Sequence, residues 1–162
     1  MSVTDIFRLD DLVAVVPGGS GGIGSQLCKA LAKAGATVAV IGRTAERAQA
    51  VVDQIEADGG TALAVPADVT IREQAEAAIA TTMDRLGRVD IIVNCVGGGA
   101  GNVLHEAQEY PDDDWDWIFD LNVTSAWLPT QAAVKAMIAG GQGGRVLNVS
   151  SVRGQLGIDA GY

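Results

Sequence analysis

Apolar positions along this chain fall into two patterns. Short runs rich in Val and Ile occupy residues 12–16, 37–41, 62–65, 89–93 and 146–149. Each is too continuous for a half-exposed strand and reads as a strand buried on both faces. Between the runs, apolar residues recur every three or four positions. Residues 25–33 read as a helix with Gly35 as its C-cap. Residues 44–58 put Ala48, Val51, Val52 and Ile55 on one face and stop at Gly59-Gly60. Thr70 and Glu73 have the spacing of a capping box, and Ala75, Ala78, Ile79, Thr82, Met83 and Leu86 mark the helix face behind them. Residues 115–137 carry Trp117, Ile118, Leu121, Ala126, Leu128, Ala132, Val134 and Met137 at helical spacing. Asp112, Asp113, Asp114 and Asp116 sit at the positive dipole end of that segment. Pro129 kinks it or marks a boundary within it. Strict alternation of strand and helix predicts an α/β, doubly wound parallel sheet of Rossmann type with right-handed crossovers. Ligands of such sheets lie at the carboxyl ends of the strands.

The first run leads directly into Gly18, Gly19, Ser20, Gly21, Gly22, Ile23 and Gly24, five glycines in seven residues. A strand, a glycine turn and a helix in that order form a pocket for a pyrophosphate. The turn brings backbone close to the phosphates, and the helix offers free N–H groups and its positive dipole end. A plain strand-to-helix connection rarely needs so many glycines. Two spacings coexist: Gly19, Gly21 and Gly24 satisfy G-x-G-x-x-G, and Gly18, Gly22 and Gly24 satisfy G-x-x-x-G-x-G.

Composition narrows the picture. The 162 residues suffice for one domain, 1–162, and no linker or repeat divides them. Apolar residues are 48% and aromatic residues 4%, so Ala, Val, Ile and Leu must build the core. A formal net charge of −9 argues against a general nucleic-acid or anionic-membrane surface, while leaving room for a local phosphate pocket. Cys28 and Cys95 lack C-x-x-C spacing and read as reduced thiols of a cytoplasmic protein. No apolar run approaches membrane-spanning length, and residues 1–8 lack signal-peptide character.

The G-x-x-x-G-x-G spacing resembles the short-chain dehydrogenase/reductase family, whose opening is T-G-x-x-x-G-x-G. Pro17 stands where that Thr is expected, so the hydrogen bond the Thr supplies is absent. Further residues resemble the family's pattern in order. Asp68-Val69 follows the third strand, where the family's Asp contacts adenine. Asn94-Cys95-Val96-Gly97 stands where the family has N-N-A-G, with Asn94 and Gly97 matching. Asn122 matches the helix Asn that organises a water in the family's proton relay. Residues 145–151 look like the strand ending in the catalytic Ser, which places that role on Ser151. Each residue also has an ordinary reading: Asp68 as a helix N-terminal acid beside Thr70, Asn94 in a turn, Asn122 bonded back along its helix, and the serines as turn hydroxyls. The resemblance implies strand order 3-2-1-4-5 and a nicotinamide dinucleotide held by Gly18, Ser20, Gly22, Ile23, Gly24, Arg43, Thr44, Asp68, Val69, Asn94 and Gly97. It also implies hydride transfer between the nicotinamide and a ketone or secondary alcohol, and a homodimer or tetramer. The end of the second strand carries Gly42 and Arg43 in place of the acid that binds the ribose diol of NAD, which favours NADP over NAD.

The family's Tyr-x-x-x-Lys begins slightly beyond position 162. Tyr162 is either that Tyr after a shortened loop or a loop Tyr before the motif, and no Lys follows it. The chain therefore reads as the first two-thirds of an enzyme. A non-catalytic dinucleotide-binding module and an inactive fragment are the competing readings.

Overall fold

The computed structural model describes residues 6–98 and 105–152; Tyr162 lies outside them. The first part alternates strictly: β1 (Val13–Pro17), α1 (Gly22–Lys33), β2 (Thr37–Gly42), α2 (Ala45–Ala57), β3 (Thr61–Pro66), α3 (Arg72–Leu86) and β4 (Ile91–Asn94). Then α4 (Asp112–Phe119) runs through a π-helical segment (Asp120–Thr124) into α5 (Ser125–Gly140), and β5 (Arg145–Asn148) follows. The five strands form one sheet in the expected order, β3-β2-β1-β4-β5, and every neighbouring pair is parallel.

Alternation along each strand divides the core between the two sheet faces. Val15, Ala39, Ile41, Val65 and Ile92 pack with Ala75, Ala78 and Ile79 of α3 and Leu128, Ala132, Ala133 and Met137 of α5. Ala14, Val16, Val38, Val40, Ile91 and Val93 pack with Cys28 of α1 and Ala48, Val51, Val52 and Ile55 of α2. Burial pushes the Cys28 thiol up to about 12, with the nearby Cys95 adding to the shift, and burial also raises Cys95. Both thiols are free and protonated at neutral pH. Helix α1 is capped by Ala34, one residue before the expected Gly35, and the left-handed turn falls on that glycine. Gly35, at φ 109°, donates to the Ala32 carbonyl while Ala36 donates to that of Leu31, a left-handed closure suited to glycine.

One expectation needs correction. Thr70 does not cap α3: the cap residue is Ile71, with no side-chain cap bond. Thr70 stands one residue before that cap, where its hydroxyl donates to Asp68 Oδ1 at 2.7 Å. Trp117 is 50% exposed, and Trp115, Phe119, Val123 and Trp127 are also exposed. Pro129 lies inside α5 rather than at its boundary. It has no N–H to return to the Ser125 carbonyl, and the π-helical segment lies immediately before that turn.

Asp90 ties the lower end of the sheet together. Its carboxylate, 8% exposed at the residue level, accepts from the Val13 N–H at 2.8 Å and from both Nε and Nη2 of Arg88 at 2.8 and 2.7 Å. Its carbonyl accepts from the Arg145 N–H, so one residue joins β1, β4 and β5. Asp90→Ala leaves a buried N–H without a partner and is expected to lower stability by about 1.5–3 kcal/mol, read as a shift in urea midpoint. An unchanged midpoint would show that the tie carries no net stability.

Candidate nucleotide-binding site

The turn after β1 is held chiefly by backbone hydrogen bonds, with the Cys28 thiol donating to the Gly19 carbonyl at 3.8 Å. Gly19 donates to the carbonyls of Val16 and Ile41 at 2.9 and 3.0 Å, and Gly21 donates to that of Gly18 at 2.9 Å. Pro17 fits here because it is the last residue of β1, and its carbonyl accepts from the Cys95 N–H at 2.9 Å. Gly18 has φ 78°, and a Cβ there would stand 2.5 Å from the Cys95 carbonyl oxygen. A Cβ on Gly24 would collide with the Gly18 carbonyl, whereas one on Gly22 meets nothing within 4 Å. Gly18 and Gly24 are thus required by packing inside the turn, while Gly22 faces open space. The N–H groups of Gly22, Ile23 and Gly24 open α1 without intrahelical acceptors, and the first turn holds no acid. This end of α1 suits an anion.

A cavity of about 330 Å³ lies over the carboxyl ends of β1, β2 and β4. Gly18, Ser20, Gly21, Gly42, Arg43, Thr44, Arg47, Asp68, Val69, Cys95, Val96 and Gly97 are among its walls. A larger cavity, about 440 Å³, lies at the opposite end of the sheet between the last turns of α1 and α2. Its glycines, Gly35, Gly59 and Gly60, follow helix carboxyl ends rather than lead into a helix, and charged side chains on its wall pair with one another, Arg8 with Asp10 and Lys33 with Asp58. Helix carbonyl ends repel an anion, so the smaller cavity is the nucleotide candidate. Among the described residues, no group of three His, Cys, Asp or Glu side chains could hold a metal ion.

The residues singled out from the sequence divide sharply. Gly18, Ser20, Arg43, Thr44, Asp68, Val69 and Gly97 line the cavity together. Asp68 does so while Oδ1 accepts from both the N–H and the hydroxyl of Thr70. Ile23 is 65% exposed and, like Gly22 and Gly24, stands outside the lining. Asn94 is not among the cavity's walls. Its side chain is buried away from the cavity, where Nδ2 donates to Thr130 Oγ1 at 2.7 Å and Asn148 Oδ1 at 2.8 Å. It joins β4, β5 and α5. Its Oδ1 is buried without a partner among the described residues. Asn122 lies in the π-helical segment; its Oδ1 accepts from the Gly98 N–H at 3.1 Å and its Nδ2 donates to the Ile118 carbonyl at 3.1 Å. It therefore ties the loop after β4 to that segment, a place where π-helical turns often serve function. Ser151 lies three residues beyond β5, whose end is held beside β4 by the Val149 N–H donating to the Asn94 carbonyl at 2.9 Å. Arg47 was not singled out. It lines the cavity one helical turn beyond Arg43, and a basic residue four positions after Arg43 was the available signal.

The sequence profile described as short chain dehydrogenase matches residues 12–161, and the chain belongs to that family. An uncharacterized oxidoreductase of Mycobacterium tuberculosis is 39% identical over 154 residues, 95% of this chain and 57% of the relative. A 7α-hydroxysteroid dehydrogenase solved with NADH and 7-oxo glycochenodeoxycholic acid superposes with a TM-score of 0.90 at 32% identity, covering 99% of this chain and 61% of that one. A gluconate 5-dehydrogenase of Burkholderia cenocepacia, solved with NADP and tartrate, gives 0.86 at 31%, covering 98% and 61%. The chain thus spans little more than half the length of the curated relatives it matches. No helix among the described residues is long and apolar enough to cross a membrane.

Proposed function

We propose that the chain supplies the cofactor-binding part of an NADP(H)-dependent oxidoreductase that moves a hydride between nicotinamide and a ketone or secondary alcohol. The observation that carries this reading is the cavity bounded by the glycine turn at one side and by Arg43 and Arg47 at another. The first-turn N–H groups of α1 bind the pyrophosphate. Asp68 and Val69 border the adenine. Arg43 and Arg47 pair with the 2′-phosphate, where a carboxylate at position 42 would repel it. When bound, the nicotinamide supplies or accepts the hydride. Ser151 hydrogen-bonds the substrate oxygen, and Asn122 positions a water for proton exchange.

Titration of NADP and NAD against the wild type and Arg43→Ala tests the cofactor assignment. NADP is expected to bind more tightly, and Arg43→Ala to lose about tenfold or more for NADP while leaving NAD unchanged, as loss of a charge-assisted bond requires. Equal wild-type affinities would overturn it.

We also propose that a second copy of the chain covers exposed aromatic side chains of α4 and α5. Trp115, Trp117 and Trp127 are each at least half exposed there, an unusual density of aromatic surface. Among the described residues nothing pairs with the outer side of β5, and Val146, Leu147 and Val149 are 42%, 50% and 43% exposed. Such an edge recruits further chains. Sedimentation across a concentration series is expected to show self-association that Trp115→Glu/Trp127→Glu weakens. A persistent monomer would refute it.

A further inference from the structure

We propose that Cys28 and Cys95 form a redox switch on the glycine turn: a peroxide joins them as a disulfide, and that bond closes the nucleotide site. The switch rests on the nucleotide-binding reading above, though not on the choice between NADP and NAD. Cys28 lies on α1 and is fully buried. Cys95 directly follows β4, is half-buried and stands on the wall of the nucleotide cavity. Side chains alternate along a strand, so Cys95 falls on the sheet face of Ile91 and Val93, which α1 covers. There it packs against the core cluster that contains Cys28. The two cysteines reach one turn from two sides. Cys28 Sγ stands 3.8 Å from the Gly19 carbonyl oxygen and 2.9 Å from the point a Cβ on Gly19 would occupy. The Cys95 N–H donates to the Pro17 carbonyl at 2.9 Å, and the Cys95 carbonyl oxygen is 2.5 Å from the point a Cβ on Gly18 would occupy. Glycine at 18 and 19 leaves the turn without a side chain on either approach.

The two environments divide the chemistry. Cys95 opens onto the cavity, so its sulfur meets the peroxide first. The peroxide O–O bond breaks, Cys95 is oxidised to a sulfenic acid, and one water leaves. The Cys28 sulfur then attacks the sulfenic sulfur. The S–O bond breaks, the Cys28 thiol proton leaves with the hydroxyl as a second water, and the disulfide forms. Burial keeps both thiols protonated at neutral pH, so the pair responds slowly, to sustained rather than brief exposure. A disulfide holds its two Cα atoms about 4.4–6.8 Å apart and fixes the torsion between them. Meeting that geometry takes the Cys28 sulfur from the Gly19 carbonyl and draws the end of β4 toward α1. The turn between them has no slack, because the Gly19 N–H is held by the Val16 and Ile41 carbonyls and the Gly21 N–H by that of Gly18. It shifts as a unit, and the N–H groups that follow it lose their aim at a phosphate. Bound nucleotide acts in the opposite sense by covering the wall that carries Cys95.

The test treats the whole chain with hydrogen peroxide and then with dithiothreitol, and reads intact mass, non-reducing electrophoresis and calorimetric titration of NADP. Oxidised wild type is expected to lose two hydrogens, to carry the bond within one chain, and to bind NADP at least about tenfold more weakly. Dithiothreitol should restore both mass and affinity, and saturating NADP should slow formation of the bond. Cys28→Ala should stop at the Cys95 sulfenic acid, which dimedone traps, and peroxide should leave the NADP affinity of Cys95→Ser where it was in the reduced variant. The wild-type readouts decide the matter even where a variant fails to fold. Peroxide that leaves only sulfenic or sulfinic acid on Cys95, or that joins two chains, would overturn the pairing. An internal disulfide with unchanged NADP affinity would overturn the switch. A reduced wild type that binds no NADP would overturn the nucleotide reading and the closing of the site with it, while the mass still decides the disulfide.

Discussion

Gly24→Val should prevent stable folding, while Gly22→Val should fold normally and lose its nucleotide. The two glycines lie two residues apart in one motif, yet their surroundings differ. A Cβ on Gly24 runs into the Gly18 carbonyl and approaches Gly19 Cα at 3.0 Å, both backbone atoms of the turn it packs against. Backbone cannot rotate aside, so α1 must separate from β1, at a cost on the order of 4 kcal/mol or more, a large part of a domain's stability. A Cβ on Gly22 meets nothing within 4 Å, and its position in the first turn of α1 is accessible to any residue. Valine there leaves the core intact but fills the approach to the first N–H groups of the helix. Losing two charge-assisted backbone bonds corresponds to about 10²-fold in affinity or more. Asp68→Asn should cost less than about tenfold, because its Oδ1 can still accept from Thr70. Circular dichroism and nucleotide titration on the three variants separate these outcomes. Tight nucleotide binding by Gly22→Val would show that the turn does not hold the phosphates.

The strands were legible because a strand buried on both faces has no freedom in composition. The Val and Ile runs locate all five within two residues of their observed starts and ends. The inward faces of α2 and α3 follow from periodicity alone, since each has a single sheet face to cover. The orientation of Asn94 was in principle readable by parity: Ile92 faces α3 and α5, so Asn94, two residues on, faces them too. Trp117 shows the opposite limit. Periodicity marks a residue as apolar and in phase, but says nothing about whether this chain supplies the surface that covers it. Contacts such as Cys28 with Gly19, or Arg47 with the cavity, depend on how separate elements dock. No local pattern encodes them.

Assayed by itself, the polypeptide of residues 1–162 should oxidise secondary alcohols at least about 10²–10⁴-fold more slowly than a full set of family residues would allow, the usual worth of general acid–base assistance. The family resemblance assigns proton transfer to a Tyr whose acidity is raised by a Lys four residues later. The chain has three lysines, Lys29, Lys33 and Lys135. Lys29 and Lys33 lie on α1, on the wall of the cavity at the far end of the sheet. Lys135 is exposed on α5 and lines neither cavity. None is placed to lower the pKa of a Tyr beside Ser151. Without that charge a Tyr titrates near its reference value of ~10, where it is a poor base at neutral pH. The turnover that remains should come from cofactor and substrate positioning, and it should rise with pH toward that value rather than level off near neutrality. NADP reduction with simple secondary alcohols, followed from pH 6 to 10, measures both the rate and the profile. A fast, pH-independent rate would place the proton on a different group, and Asp68→Asn, Asn122→Ala and Ser151→Ala would then be the variants to locate it.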